Sequence, residues 1–315
     1  MDFRTQVPFY FQDFEISHKD AILMIGSCFV ENLGNKLQTY KFDTELNPFG
    51  ILFNPYSIAN SLDRIMHLKF YTESDLFFHN EMYHSWDHHS VFSGINIEEV
   101  LENINTKIKI AHQQLVHSST LFITFGSAFT YLHKPLYTPV ANCHKVEANK
   151  FVKKLYEPEE LYDLYKQLFY DLQFFNPKLN IVLTVSPVRH IKDGFMENNV
   201  SKGILFQLIY KLLGTFKQSF YFPSYEIVID ELRDYRFFGK DLIHPNEQAI
   251  DYIWEQFGKN YFNDETIQIN KNIDEIFRDK NHKPFNIYSE GHKKFLLSLD
   301  KKIENFNTKY PHIPF

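Results

Sequence analysis

Residues 21–29 read Ala-Ile-Leu-Met-Ile-Gly-Ser-Cys-Phe: an apolar run meets a glycine and presents a hydroxyl just before a segment of helical period. A short, wholly apolar run closed by glycine suits a strand covered on both faces, as a parallel sheet requires. Glycine lets the chain turn tightly, and a serine at a strand-to-helix turn stands where a nucleophile is displayed. Far downstream, Asp241-Leu-Ile-His244-Pro245 sets an acid and an imidazole three residues apart, followed by a proline that suits the first turn of a helix. These are the residue types of a Ser-His-Asp hydrolase.

Working outward, the spacing predicts strands over Ala21 to Ile25, Thr120 to Phe125, Asn180 to Val185 and Glu226 to Asp230, with a fifth over Tyr40 to Leu46. Helical period predicts helices over Phe29 to Thr39, Ile97 to Val116, Glu159 to Phe174 after Pro158, Asn198 to Phe216 and Pro245 to Phe257. Strand and helix alternate, so the fold class is α/β: a three-layer α/β/α sandwich around a mostly parallel five-stranded sheet, with the carboxyl ends of its strands along one edge. Residues 1–262 are read as the main domain. A long, aromatic, histidine-rich insertion at about 47–92 lies over the active edge. Residues 263–315 are read as a helical extension packed on the main domain, with amphipathic patterns over Ile267 to Phe277 and Ser289 to Phe306.

Composition narrows the class of partner. With 315 residues, 44% hydrophobic and 17% aromatic, including 33 Phe and 19 Tyr, the chain has the material for a large aromatic core. Lys+Arg 33 against Asp+Glu 39 leaves a formal charge of -6, which offers no footprint for nucleic acid or an anionic membrane. The start, Met-Asp-Phe-Arg-Thr-Gln, has no signal-peptide pattern, and no apolar run approaches the ~20 residues of a membrane span. Two cysteines, Cys28 and Cys143, are too few for a disulfide framework. A cytoplasmic protein with no cofactor is the expectation.

The pairing of Gly26-Ser27 with Asp241-x-x-His244 resembles the SGNH/GDSL hydrolase superfamily, and Gly26-Ser27-Cys28-Phe29 resembles its GSCFA-domain family, with Val30 where that family has alanine. The resemblance runs to about residue 258 and implies a flavodoxin-like sheet and an acyl-serine intermediate on Ser27. His244 would then be the base and Asp241 its orienting partner. It also implies oxyanion donors from a second-block glycine and a third-block asparagine. Gly50, in Asn-Pro-Phe-Gly-Ile-Leu-Phe-Asn-Pro, is the candidate for the former, beside the N–H of Ser27 itself. The third block departs from the pattern: Gly126-Ser127-Ala128-Phe129 carries Ala128 in place of asparagine, and Asn142 or His144, in Asn142-Cys143-His144-Lys145, is the candidate substitute. Trp86, His89, His144, Arg189 and His190 are the candidate pocket residues.

Each residue has a plainer role beside the functional one. Ser27 and Asp241 suit capping positions, Gly50 and Asn142 suit turns, His144 suits a satisfied polar site, and Arg189 has Asp193 or Glu197 as possible ion-pair partners. His79, His84, His88 and His89, with Asp87, match no metal-ligand spacing, and no metal is expected. Cys28 with His144 or His244 is a mechanistic rival, because thiolates are the stronger nucleophiles at neutral pH. Adjacent residues at such a turn point in different directions, so only one can face the base, and Ser27 is the expectation. The predicted activity is a serine hydrolase acting on a small-molecule or glycan ester. An acyltransferase with the same triad and a non-catalytic binding module are the alternatives, although a binding module has no need of all three groups.

Overall fold

A computed structural model describes residues 4–8, 13–313 and 315, so Met1, Asp2 and Phe3 of the N-terminal stretch lie outside the described residues. Five strands form a wholly parallel sheet: β1 (Ala21–Gly26), β2 (Asp43–Leu46), β5 (Ser118–Phe125), β9 (Asn180–Val185) and β10 (Ser219–Tyr221), in the order β10-β9-β5-β1-β2. The first strand is therefore internal, and the chain leaves it toward β2 on one side before crossing back to β5 on the other. That reversal opens a crevice at the carboxyl ends of β1 and β5, where ligands of such sheets bind. The register sets Gly26 beside Thr124.

Period-2 alternation within β1 builds both layers. Leu23 and Ile25 face a core shared with α2 (Pro55–Met66), α3 (Ile97–His117), α4 (Pro158–Phe175) and α5 (Phe195–Thr215). Ile22 and Met24 face the other, shared with α1 (Cys28–Thr39) and α7 (Glu247–Tyr261). These residues are almost completely shielded from solvent, and each large one contributes about 1.5–3 kcal/mol by leaving water. The helical patterns read from the sequence form at these places. Pro158 occupies the first turn of α4, where its missing N–H costs nothing.

Two expectations are corrected. Glu226 to Asp230 is not a strand: Ser224–Glu226 form a helical turn, α6, that runs into a π-helical turn at Ile227–Glu231, and the fifth strand is β10 instead. The sheet stops because the N–H of Phe222 makes a last bond to the Leu183 carbonyl at 2.9 Å and Pro223 has no N–H with which to continue. Helical geometry then turns both Ile227 and Val228 into one core. Pro245, in turn, lies outside the first turn of α7. Asn246 is the cap, accepting from the N–H of Ala249.

Residues 47–92 hold α2, whose Ile58, Leu62 and Ile65 join the main core, and then a hairpin, β3 (Leu76–His79) and β4 (Met82–Ser85). A further antiparallel sheet of β6 (Phe129–His133), β7 (Thr138–Val140) and β8 (Phe151–Leu155) follows β5. Neither was legible in the sequence, since strands this short carry too few alternations to register. The C-terminal α8 (Asp264–Lys280) and α9 (Glu290–Lys309) pack Ile269, Ile273 and Ile276 on Leu299 and Phe306. Among the described residues no helix is long and apolar enough to cross a membrane.

Candidate active site

The carboxyl end of β1 is locked by its neighbours. Gly26 has φ +141°, and a Cβ there would stand 2.2 Å from the Thr124 carbonyl oxygen, so only glycine fits. Its N–H donates to Asn47 Oδ1 at 2.9 Å, and its carbonyl accepts from the N–H of Leu52 at 2.9 Å. Asn47 Nδ2 in turn donates to Glu31 at 3.3 Å. The turn after β2 is thereby stapled to the turn after β1.

Beyond this glycine the two adjacent side chains part. Ser27 is the N-cap residue of α1, yet its Oγ makes no capping bond; it is buried, with no hydrogen-bond partner among the described residues. Its N–H is spent on the Thr124 carbonyl at 3.1 Å. Cys28, the first helical residue, is half-buried, and its Sγ lies 3.7 Å from Nε2 of His244. Burial first, then the nearby Glu31 carboxylate, pushes the thiol up; the Lys202 ammonium and the N–H groups of Cys28 and Phe29 pull it the other way. Of the two adjacent side chains, the thiol is the one that lies beside the imidazole.

Asp241 and His244 come together as their spacing suggests. Asp241 Oδ2 accepts from Nδ1 of His244 at 2.6 Å, while Oδ1 accepts from the N–H groups of Ile243 at 3.0 Å and His244 at 3.1 Å. Those bonds, that from Ile243 foremost, hold the carboxyl down to about 2. The tight loop requires Leu242 at φ +60°, a left-handed conformation costing a leucine about 1–2 kcal/mol. In the neutral ring, an Nδ1 proton directed to Asp241 leaves Nε2 as the acceptor that faces the thiol.

Two of the expected oxyanion donors, the N–H groups of Gly50 and Ser27, already carry backbone bonds. Gly50 sits at φ +72° against His89, but its N–H donates to the Asn47 carbonyl at 2.7 Å and closes a turn. Asn142 Oδ1 accepts from the N–H of His144 at 2.9 Å, so it too shapes a turn. The Ser27 N–H is spent as well, whereas no bond among the described residues engages the Asn142 Nδ2 group. The N–H groups of Gly126 and Ser127 both reach the Phe53 carbonyl at 2.9 Å.

The pocket candidates divide. His190 is at the site: its ring meets Phe53 edge-on at 5.3 Å. It is held neutral down to about 4 by burial first, then by Lys202, with His244 adding in the same sense. Arg189 lines a cavity of about 360 Å³ with Leu242 and Ile243, against the Asp241–His244 loop. Trp86 and His144 lie together in another cluster, where Trp86 stacks on Phe77 at 3.7 Å and His144 Nε2 donates to the Ser85 carbonyl at 2.8 Å. His89 packs on Gly50, and its Nδ1 accepts from the N–H of Val91 at 3.4 Å. The histidine cluster is occupied locally too: His84 bonds Ser93 at 2.6 Å, and His88 bonds Ser85 at 2.9 Å and stacks on Phe49. Among the described residues no three metal-ligating side chains converge.

Sequence reasoning missed the polar face of α5. Asn198, Ser201 and Lys202 are buried at the site end of a helix whose Leu205, Leu208, Ile209 and Leu212 continue the same stripe into the core. Asn198 Oδ1 accepts from the N–H of His190 at 3.0 Å, and Ser201 Oγ accepts from the N–H of Ala128 at 2.8 Å. Polar residues that open an otherwise apolar stripe were the available signal.

A family model described as the GSCFA family matches residues 21–257, and one described as the GSCFA domain protein, C-terminal domain, matches residues 273–315. No curated protein matches the chain in sequence. Among solved structures it is similar to a carbohydrate esterase family 3 from Talaromyces cellulolyticus, at 9% identity and a TM-score of 0.36, covering 79% of this chain and 97% of that one.

Proposed function

The chain belongs to the GSCFA family, and from that premise we propose that its site is an acyl-transfer centre of hydrolase type in which Cys28 is the nucleophile. One observation carries the reading: a single imidazole is bonded to Asp241 through Nδ1 at 2.6 Å and lies 3.7 Å from the Cys28 sulfur through Nε2. That is the geometry of a nucleophile, base and orienting acid. Ser27 Oγ, buried and without a partner, is poorly placed for the role.

The chemistry follows from the proton positions. As Cys28 Sγ attacks the carbonyl carbon of an ester, its proton passes to His244 Nε2, and Asp241 balances the imidazolium. The tetrahedral centre collapses by breaking the C–O bond, and Nε2–H protonates the departing alcohol, leaving a thioester on Cys28. A water then gives a proton to Nε2 as its oxygen attacks the thioester carbonyl. The C–S bond breaks, the acid leaves, and the thiol regains its proton. Were a hydroxyl of a sugar or another alcohol to replace the water, the same groups would catalyse acyl transfer. The alcohol half of the substrate is open to a small molecule or a glycan.

The test is hydrolysis of a panel of short-chain and sugar acetate esters by Cys28→Ala and Ser27→Ala. Cys28→Ala is expected to lose at least about a thousandfold in kcat, and Ser27→Ala to keep most of its activity. Mass spectrometry of the wild type should find the acyl group on Cys28. Activity surviving in folded Cys28→Ala, together with labelling of Ser27 by a fluorophosphonate, would return the nucleophile to the serine.

A further inference from the structure

Lys202 is 2% exposed, and no carboxylate lies within ion-pairing distance of it among the described residues. Lysine is almost never so buried without a partner, because an ammonium taken out of water is costly unless an opposite charge repays it. Its Nζ donates to the carbonyls of Gly126 and Ser186, each at 2.7 Å. Those carbonyls stand at the carboxyl ends of β5 and β9, on the edge that carries the site. Gly126 is itself packed against Ser27: a Cβ on it would lie 3.2 Å from the Ser27 Cβ. Two of the three ammonium protons are thus spent on fixing the head group, and the third has no acceptor among the described residues. Burial pulls the ammonium down to about 7, while negative charge on the Cys28 sulfur pulls it up.

We propose that Lys202 is a positioning residue for the sulfur anion: its ammonium, held on two strand-end carbonyls beneath the site, supplies the positive charge that lets Cys28 ionise. The proposal rests on the reading of Cys28 as nucleophile. Other charged or titratable groups also face the pair. Glu31 on α1 opposes ionisation of the thiol, His190 from the loop after β9 is neutral beside the lysine, and His244 lies against the sulfur. Lys202 is the fully buried cation among them. Lys202 favours the ionised thiol, and an opposite charge within ~4–6 Å of a titrating group shifts it by about one to three pH units. The charge would also give the site some of the electropositive character that the missing asparagine at Ala128 would have lent it.

The experiment is the pH profile of Cys28 alkylation by iodoacetamide, with Cys143 replaced by serine so that one thiol reports. Lys202→Gln keeps an amide donor for the two carbonyls while removing the charge. Its alkylation midpoint is expected to rise by about one pH unit or more, with roughly tenfold slower alkylation at neutral pH. A folded Lys202→Gln with the wild-type profile would overturn the proposal. A second measurement needs no change at the lysine: the ¹³Cε resonance of Lys202 is titrated in the wild type and in Cys28→Ala. Reciprocal coupling requires a lower midpoint without the thiol; equal midpoints would sink the idea. The two readings fail separately. Full ester hydrolysis by Cys28→Ala would remove the nucleophile assignment whatever the alkylation profile shows. An unmoved alkylation profile beside an inactive Cys28→Ala would remove only the lysine's role.

Discussion

Gly26, Ser27 and Cys28 are consecutive, yet each meets a different surface. Gly26 lies flat against β5, Ser27 is turned into the interior, and Cys28 starts the helix facing the imidazole. A methyl group on Gly26 would collide with the Thr124 carbonyl, which belongs to a central strand that cannot give way. Gly26→Ala is therefore expected to lose at least about 2 kcal/mol of stability, measured by urea unfolding. Wild-type stability in that variant would mean that the turn is looser than described. At the other end of the site, Asp241→Asn removes the acceptor that fixes the imidazole tautomer. A fall in kcat on the order of 10²–10⁴-fold is expected, with the urea midpoint little changed because both side chains are half-exposed. The Asp-x-x-His spacing was legible because the whole unit is local: one carboxylate accepts two N–H groups and the ring within a four-residue loop.

At the scale of elements, the site is an agreement among strand ends. Asn47, at φ +46°, joins the turn after β2 to Gly26 and, through Glu31, to α1. Asn47→Ala leaves the buried Gly26 N–H without its acceptor, and a loss of about 1–3 kcal/mol in the unfolding free energy is expected. Because the same bond holds the turn that carries Cys28, ester hydrolysis should weaken as well. An Asn47→Ala protein with unchanged thermal midpoint and rate would show that the staple is dispensable. The helices were legible where their stripes were apolar throughout, as in α1, α3 and α4. The site face of α5 was not, because the burial of Asn198, Ser201 and Lys202 depends on β5 and β9 ending over them. The strand reading of Ile227-Val228-Ile229 failed for the converse reason: β-branched composition suits a buried helical turn as well as a strand, and Pro223 had already ended the sheet.

Over the whole molecule, the packing that secures the fold also makes it sensitive to acid. His18, His144 and His190 are each held down to about 4, in every case first by burial, against an ordinary value of 6.5. They are neutral in the folded chain and take up protons on unfolding. Between pH 6.5 and about 4 the unfolded state therefore binds more protons, and stability falls as the pH is lowered across that window. Urea midpoints should drop progressively there. His144→Gln, which keeps a donor for the Ser85 carbonyl, should reduce the slope; an equal slope in that variant would place the sensitivity elsewhere.

The sequence by itself determined the layered α/β architecture, the turn at Gly26 and the Asp241–His244 unit, because each follows from local chemistry: strand alternation, glycine's conformational freedom and a short hydrogen-bonded loop. Which of two adjacent residues meets the imidazole was decided only by the tertiary structure. That choice depends on the exit angle of α1 from β1 and on a loop more than two hundred residues away. The same holds for the groups around the sulfur. The N–H groups of Gly50 and Ser27 were drawn into backbone contacts that no spacing reveals, and Lys202 reached the site from a helix whose polar end acquires meaning only when the ends of β5 and β9 are brought over it.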